Sequence, residues 1–118
     1  MTVIAVSAEF SSRHGWLAIP LEIDGTFQLR MLISGFHTSI VSTNAVTAFP
    51  AFFQETAPGR YLMRRATIGE QAILDFEVRI SRQIRRLGAD GALGQDFLRR
   101  FTDINLNVPS SVLAFTGP

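Results

Sequence analysis

The sequence predicts an all-β fold, a small barrel or sandwich with two brief helices. Three observations carry this reading: segments that alternate apolar and polar residues with a period of two, turn signals recurring about every 8–12 residues, and helical patterns no longer than about two turns. The 118 residues allow one domain and exclude a two-lobed enzyme. With 47% of the residues hydrophobic and ten phenylalanines, the chain can fill a core, so disorder is not expected.

Trp16 to Ile23 reads as a strand, and Asp24-Gly25 is a dipeptide that supplies positive φ in a tight hairpin turn. Thr26 to Ile33 follows, with Phe27, Leu29, Met31 and Ile33 alternating against Thr26, Gln28 and Arg30, the pattern of a strand with one buried face. Ser34-Gly35 breaks it. Ser39 to Val41 is short and β-prone, and Ser42 or Thr43 can cap a helix that runs through Phe49 until Pro50 stops it. Pro58-Gly59 and Ile68 to Gln71 are reverse turns on either side of a segment from Arg60 to Thr67, and Ala72 to Ile80 completes a second hairpin. Arg82 to Leu87 reads as loop ended by Gly88. Gln95 to Phe101 fits a short helix, and Ile104 to Val108 and Val112 to Phe115 are closing strands joined by Pro109-Ser110-Ser111.

The net charge is +1, every basic residue is arginine, and nine of the eleven arginines lie between Arg60 and Arg100. A nucleic-acid face needs a denser basic stripe with interleaved aromatics, so nucleic acid is not an expected partner. The absence of cysteine excludes disulfides, thiolate nucleophiles and thiolate metal sites. Two histidines make a poor metal site, so neither metal nor cofactor is expected. No apolar stretch approaches the roughly 20 residues that cross a bilayer, and the N-terminus lacks a basic flank followed by an apolar run. The expectation is a soluble, cytoplasmic protein without a signal peptide.

Two segments together carry a family resemblance. The first is the hairpin from Pro20 to Gly25 that runs into Leu32-Ile33-Ser34-Gly35-Phe36-His37-Thr38-Ser39-Ile40-Val41-Ser42; the second is Ala89-Asp90-Gly91-Ala92-Leu93-Gly94-Gln95-Asp96-Phe97-Leu98. They resemble the retropepsin-like aspartic proteases, in which a hairpin and two apolar residues lead into Asp-Thr/Ser-Gly-Ala, and an Asp-Gly-Ile-Leu-Gly strand precedes a short helix. The roughly sixty residues between them suit that family's flap hairpin and second hairpin, and the resemblance spans about residues 16–115. It implies a small closed β-barrel, a homodimer and a cleft for a peptide. It also implies that the catalytic aspartate is missing, because Ile33 stands in its place.

The aspartic mechanism needs two carboxylates about 3 Å apart that share one proton and activate a water, one as base and one as acid. An isoleucine in both subunits supplies neither. The resemblance assigns Ser34 a hydroxyl that bonds across the dimer and Gly35 a flexible tight loop, and Phe36, which replaces a small residue, is expected to fill the former cleft. Ile33, Gly35, Phe36 and Leu93, with Pro58 and Gly59 at the flap tip, are then the peptide-binding or cleft residues, while Asp90, Gly91 and Gly94 form the structural motif. The expected function is a non-catalytic, dimeric, structural, regulatory or peptide-binding module. An open edge on the strand from Val112 to Phe115 is expected to pair with another chain.

The alternative is a peptidase that uses an atypical acid or a partner chain's aspartate. A single carboxylate does not reproduce the shared-proton dyad. Asp90 and Asp96 are available acids, yet Asp90 is read as a turn residue and Asp96 as a helix N-terminal residue. Ser34 with His37 lacks an orienting carboxylate, which leaves it weak as a nucleophile and base. His14, Arg99-Arg100, Arg64-Arg65 and Arg85-Arg86 are read as surface residues.

Overall fold

The computed structural model describes residues 2–23, 25 and 27–117. Eleven strands are present: β1 (Thr2–Ser7), β2 (Glu9–Ser11), β3 (Trp16–Ile23), β4 (Phe27–Ile33), β5 (Ile40–Ser42), β6 (Phe53–Ala57), β7 (Arg60–Ile68), β8 (Gln71–Ser81), β9 (Gly91–Leu93), β10 (Asp103–Asn107) and β11 (Val112–Gly117). The helices are α1 (Thr43–Ala48) and α2 (Gln95–Leu98), with 3-10 turns at Pro50–Phe52 and Ile84–Leu87.

Six strands close the barrel in the order β3-β4-β9-β5-β8-β7, with β7 returning to β3 where Glu22 pairs with Thr67. β2 and β6 extend the sheet at its two ends, and a separate three-stranded sheet has the order β1-β11-β10. The β3–β4 hairpin follows the alternation in its sequence along most of its length: Ile19, Leu21, Ile23, Leu29 and Met31 are buried and Gln28 and Arg30 exposed, but Phe27, expected on the buried face, is exposed at the start of β4 with its ring against Phe49. Gly25 has the positive φ that a tight turn demands (64°), and Asp24, the other half of the predicted turn, lies outside the described residues. Ser42 caps α1 by accepting the Ala45 N–H at 3.1 Å, as its position before the helix predicts.

Phe97, fully buried, joins the layers. Its ring stands edge-on to Phe76 of the barrel at 5.8 Å, to Phe115 of the terminal sheet at 6.0 Å and to Phe101 at 5.3 Å. Phe97→Ala is therefore expected to cost about 3–5 kcal/mol, measured by urea unfolding, because it removes a ring on which three others pack. A second, smaller core lies outside the barrel, where Ala18, Leu32, Ala89, Ala92 and Ile84 are buried together with Trp16 and Ile40 against them. This cluster explains why Arg82 to Leu87 is not plain loop. Ile84 inserts, the Trp16 indole N–H donates to the Leu87 carbonyl at 2.7 Å, and the segment winds into a 3-10 turn ended by Gly88 at φ 76°.

The structure differs from the sequence reading elsewhere too. The helix after Gly94 ends at Leu98, short of Phe101. The strands β1 and β2, whose residues show no long alternation, occupy positions that the sequence reading leaves unassigned. A further correction concerns the Val112 to Phe115 edge, because β11 lies between β1 and β10 and has no open side. The edges of that sheet are β1 and β10.

Candidate functional site

β4 and β9 run parallel, pairing Met31 with Gly91, Leu32 with Ala92 and Ile33 with Leu93, and β5 packs antiparallel on the other side of β9. This arrangement threads β9 beneath the loop of residues 34–39 that joins β4 to β5. The ladder continues one step past Ile33: the Ser34 N–H donates to the Leu93 carbonyl at 3.1 Å, and the Ser34 hydroxyl donates to the same oxygen at 3.0 Å. The hydroxyl also accepts the Phe36 N–H at 3.3 Å. Within the single chain its one proton is thus taken by the Leu93 carbonyl.

Gly94 lets the backbones meet. A Cβ there would lie 2.6 Å from the Phe36 carbonyl oxygen and 2.9 Å from the Thr38 carbonyl carbon, both too close for any side chain. At Gly91 it would overlap the Ile40 carbonyl oxygen and lie 2.8 Å from the Met31 sulfur. The loop is then tied to the start of α2, where the Gln95 N–H donates to the Phe36 carbonyl at 2.7 Å and the Asp96 N–H to the His37 carbonyl at 3.2 Å.

Ser39 and Asp96 complete the lock. The Ser39 hydroxyl, fully buried, donates to Asp96 Oδ1 at 2.7 Å and accepts the Gly94 N–H at 2.9 Å. The Asp96 carboxylate also accepts the Ser39 N–H at 3.0 and 3.1 Å and the Phe97 N–H at 2.8 Å. Sequence reasoning treats Ser39 only as the start of a β-prone run. The one hint at its role is a serine directly before Ile40-Val41, and its acceptor stands 57 positions away.

Neither available acid faces Ile33. Asp90 sits opposite Arg30, three residues before Ile33 along β4 and so about 10 Å away. Its Oδ2 accepts the Arg30 N–H at 2.8 Å, and its own N–H donates to the Arg30 carbonyl at 2.9 Å. The Arg30 guanidinium in turn bonds the Gly88 carbonyl at 2.9 Å and pairs with Glu9 at 2.6 Å. Asp96 is held by Ser39 as described. His37 is exposed and, among the described residues, makes no hydrogen bond to Ser34. No group of three or more His, Asp or Glu among the described residues is placed to hold a metal ion.

The expected cleft residues divide. Ile33 is half-buried and packs on the main core, and Leu93 beside it is buried. Phe36 is 50% exposed in the single chain, at the loop apex between exposed Gly35 and His37. Gly35 is not among the glycines with positive φ, and a Cβ there would meet nothing within 4 Å, so its own chain does not require a glycine. Pro58 and Gly59 form the tip of the β6–β7 hairpin, yet that tip is fastened to β8, with Arg60 paired to Arg79 and the Ile80 N–H donating to the Gly59 carbonyl at 3.0 Å. Among the described residues no hydrogen bond joins the tip to residues 34–37. On the hairpin the Tyr61 hydroxyl donates to Glu55 at 3.2 Å; partial burial and then the Glu55 charge raise its pKa above the ordinary phenol value.

No protein-family model matches the chain. No curated protein matches it in sequence. In structure it is similar to a retropepsin-like aspartic protease from Rickettsia conorii, with a TM-score of 0.64 and 12% identity over 97% of this chain and 89% of that one. The barrel described above is thus the retropepsin-like fold.

Proposed function

We propose that this chain is a non-catalytic retropepsin-like domain that works as a homodimer, in a structural, regulatory or peptide-binding role. The carrying observation is the loop after β4. It keeps the hydrogen-bonded frame that places a residue at its base, and the residue so placed is Ile33, with Asp90 and Asp96 both committed to backbone elsewhere. A hydrocarbon can neither take a proton from water nor give one to a leaving amine.

Incubating the purified protein with a diverse unstructured peptide mixture from about pH 4 to 8, a span that covers carboxylate and histidine titration, is expected to yield no cleavage by mass spectrometry. Cleavage that a Gly94→Val chain, unable to seat the loop, fails to reproduce would overturn the reading. Ile33→Asp is expected to remain inactive as well, because β7, one strand of the hairpin that would cover a substrate, is paired with β8 from Arg60 onward and the tip is tied to β8 by the Ile80 N–H on the Gly59 carbonyl. A gain of cleavage in that variant would mean that the acid is the only missing part.

The dimer reading draws on Phe36. A half-exposed phenylalanine beside an exposed glycine, on a loop pinned at both ends, is an apolar apex that a second copy can cover. Sedimentation at tens of micromolar, the order at which an ordinary weak dimer forms, is expected to show a dimer, and Phe36→Asp to return it to monomer with the melting temperature of the diluted parent. A parent that sediments as a monomer would remove the dimer from the proposal.

A further inference from the structure

Beyond the loop, the chemistry that stands out is a set of arginines at the far end of β8. A recess of about 280 Å³ is lined by Thr43 and Asn44 at the start of α1 and by Ser81, Arg82 and Arg85. Its lining holds two guanidinium groups, two hydroxyls and an amide, and no carboxylate. Among the described residues neither arginine side chain has an ion-pair or hydrogen-bond partner; the two ion pairs found there belong to Arg30 and Arg64. Ser81 accepts the Gln83 N–H at 3.3 Å, which leaves its hydroxyl proton free to donate.

Two further features favour an anion. Arg79 precedes Ser81 by two residues and shares its face of the strand, and directly opposite Arg79 on β7 stands Arg60. Like charges facing each other across a sheet destabilise it, and the nearest acid, Glu77, two residues before Arg79 on the same face of β8, lies opposite Leu62 and only diagonal to Arg60. The backbone under the recess is also pinned. Ser81 is paired with Ser42 of β5, Ser42 caps the helix that carries Thr43 and Asn44, and buried Ile84 anchors the turn that carries Arg85. The backbone beside both arginines is therefore held, so a shared ligand has to order their side chains but not the chain that carries them.

We propose that this recess binds a phosphoryl group, held by the Arg82 and Arg85 guanidinium groups and oriented by Ser81, Thr43 and Asn44, with Arg79 and Arg60 adding positive potential from the adjoining face. Guanidinium groups match the oxygens of phosphate in pairs. The site is separate from the loop after β4 and does not depend on whether that loop does chemistry.

The test is a backbone-amide NMR titration of the full chain with inorganic phosphate and with phenyl phosphate, each against sodium chloride at equal ionic strength. The expected result is saturable shifts confined to Thr43, Asn44 and Ser81 to Arg85, half-complete on the order of 1 mM, the strength of a few charge-assisted hydrogen bonds. Arg82→Ala and Arg85→Ala should each weaken binding about tenfold or more, and Arg99→Ala should leave it unchanged. Tighter binding of phenyl phosphate than of phosphate would point to a phosphomonoester as the source, and the reverse order to the free ion. Equal shifts with chloride, or affinity retained in both recess variants, would overturn the proposal. So would an oligonucleotide that binds more tightly than either phosphate and is insensitive to the two substitutions, which would mark a diffuse polyanion surface. Should either alanine variant misfold, Arg85→Gln keeps the side-chain length without the charge and makes the same comparison.

Discussion

Asp96→Ala is expected to destabilise the fold by about 3–5 kcal/mol, far more than a half-buried surface carboxylate usually contributes. The reason lies in what it leaves behind. The Ser39 hydroxyl and N–H, both shielded from solvent, lose their acceptor, and the Phe97 N–H at the start of α2 is left with the Gly94 carbonyl at 3.1 Å alone. Each buried donor without a partner costs about 1–3 kcal/mol. Asp96→Asn retains the one oxygen that accepts the Ser39 hydroxyl and N–H and should cost about 1–2 kcal/mol, since it gives up the charge assistance and replaces the second oxygen, 3.0 Å from the Ser39 N, by an NH2 donor. Urea unfolding of the three chains at neutral pH separates these values, and an alanine variant as stable as the asparagine one would show that the carboxylate is not the lock described.

That lock also marks where the sequence stops being informative. The β3–β4 and β7–β8 hairpins are legible because their signals are local, a period of two and Gly25 and Gly69 at positive φ in the turns, and Gly59, also at positive φ, marks the turn before β7, whereas β6 carries no such signal. The loop after β4 and the Asp90-to-Gly94 segment are recognisable as a pair from the order of residue types. What each side chain in them does is set by partners far along the chain, and that is where the reading fails. That a bulky residue replaces a small one at Phe36 is visible in the sequence, but the Gln95 N–H that bonds its carbonyl and holds it at the apex of the loop, with its ring half-exposed in the single chain, is not. Ser34 offers a hydroxyl in either reading, and only the proximity of the Leu93 carbonyl decides where its proton goes. The open edge expected at Val112 to Phe115 is closed by β1, a strand whose residues Thr2 to Ser7 carry no turn signal to announce it.

Gly94→Ala should cost about 3 kcal/mol or more and loosen the loop after β4, whereas Gly35→Ala should change monomer stability by no more than about 0.5 kcal/mol. Both are glycines in the segments that carry the family resemblance, and their surroundings are opposite. At Gly94 a methyl group would press on the backbone of Phe36 and Thr38, which cannot move without breaking the hydrogen bonds from Gln95 and Asp96. At Gly35 the methyl group would enter open space on a backbone that any residue can adopt. The contrast bears on function as well as on folding. If the loop apex meets a second copy, the methyl group at residue 35 lands in the contact, and Gly35→Ala should weaken the dimer while leaving the monomer's unfolding midpoint in place. Unfolding midpoints measured at two protein concentrations a hundredfold apart distinguish the cases, because only dimer-linked stability depends on concentration. A Gly35→Ala chain that matches the parent at both concentrations would take the second copy away from this apex, and a Gly94→Ala chain that does so would mean that the backbone crossing beneath the loop yields more easily than its geometry implies.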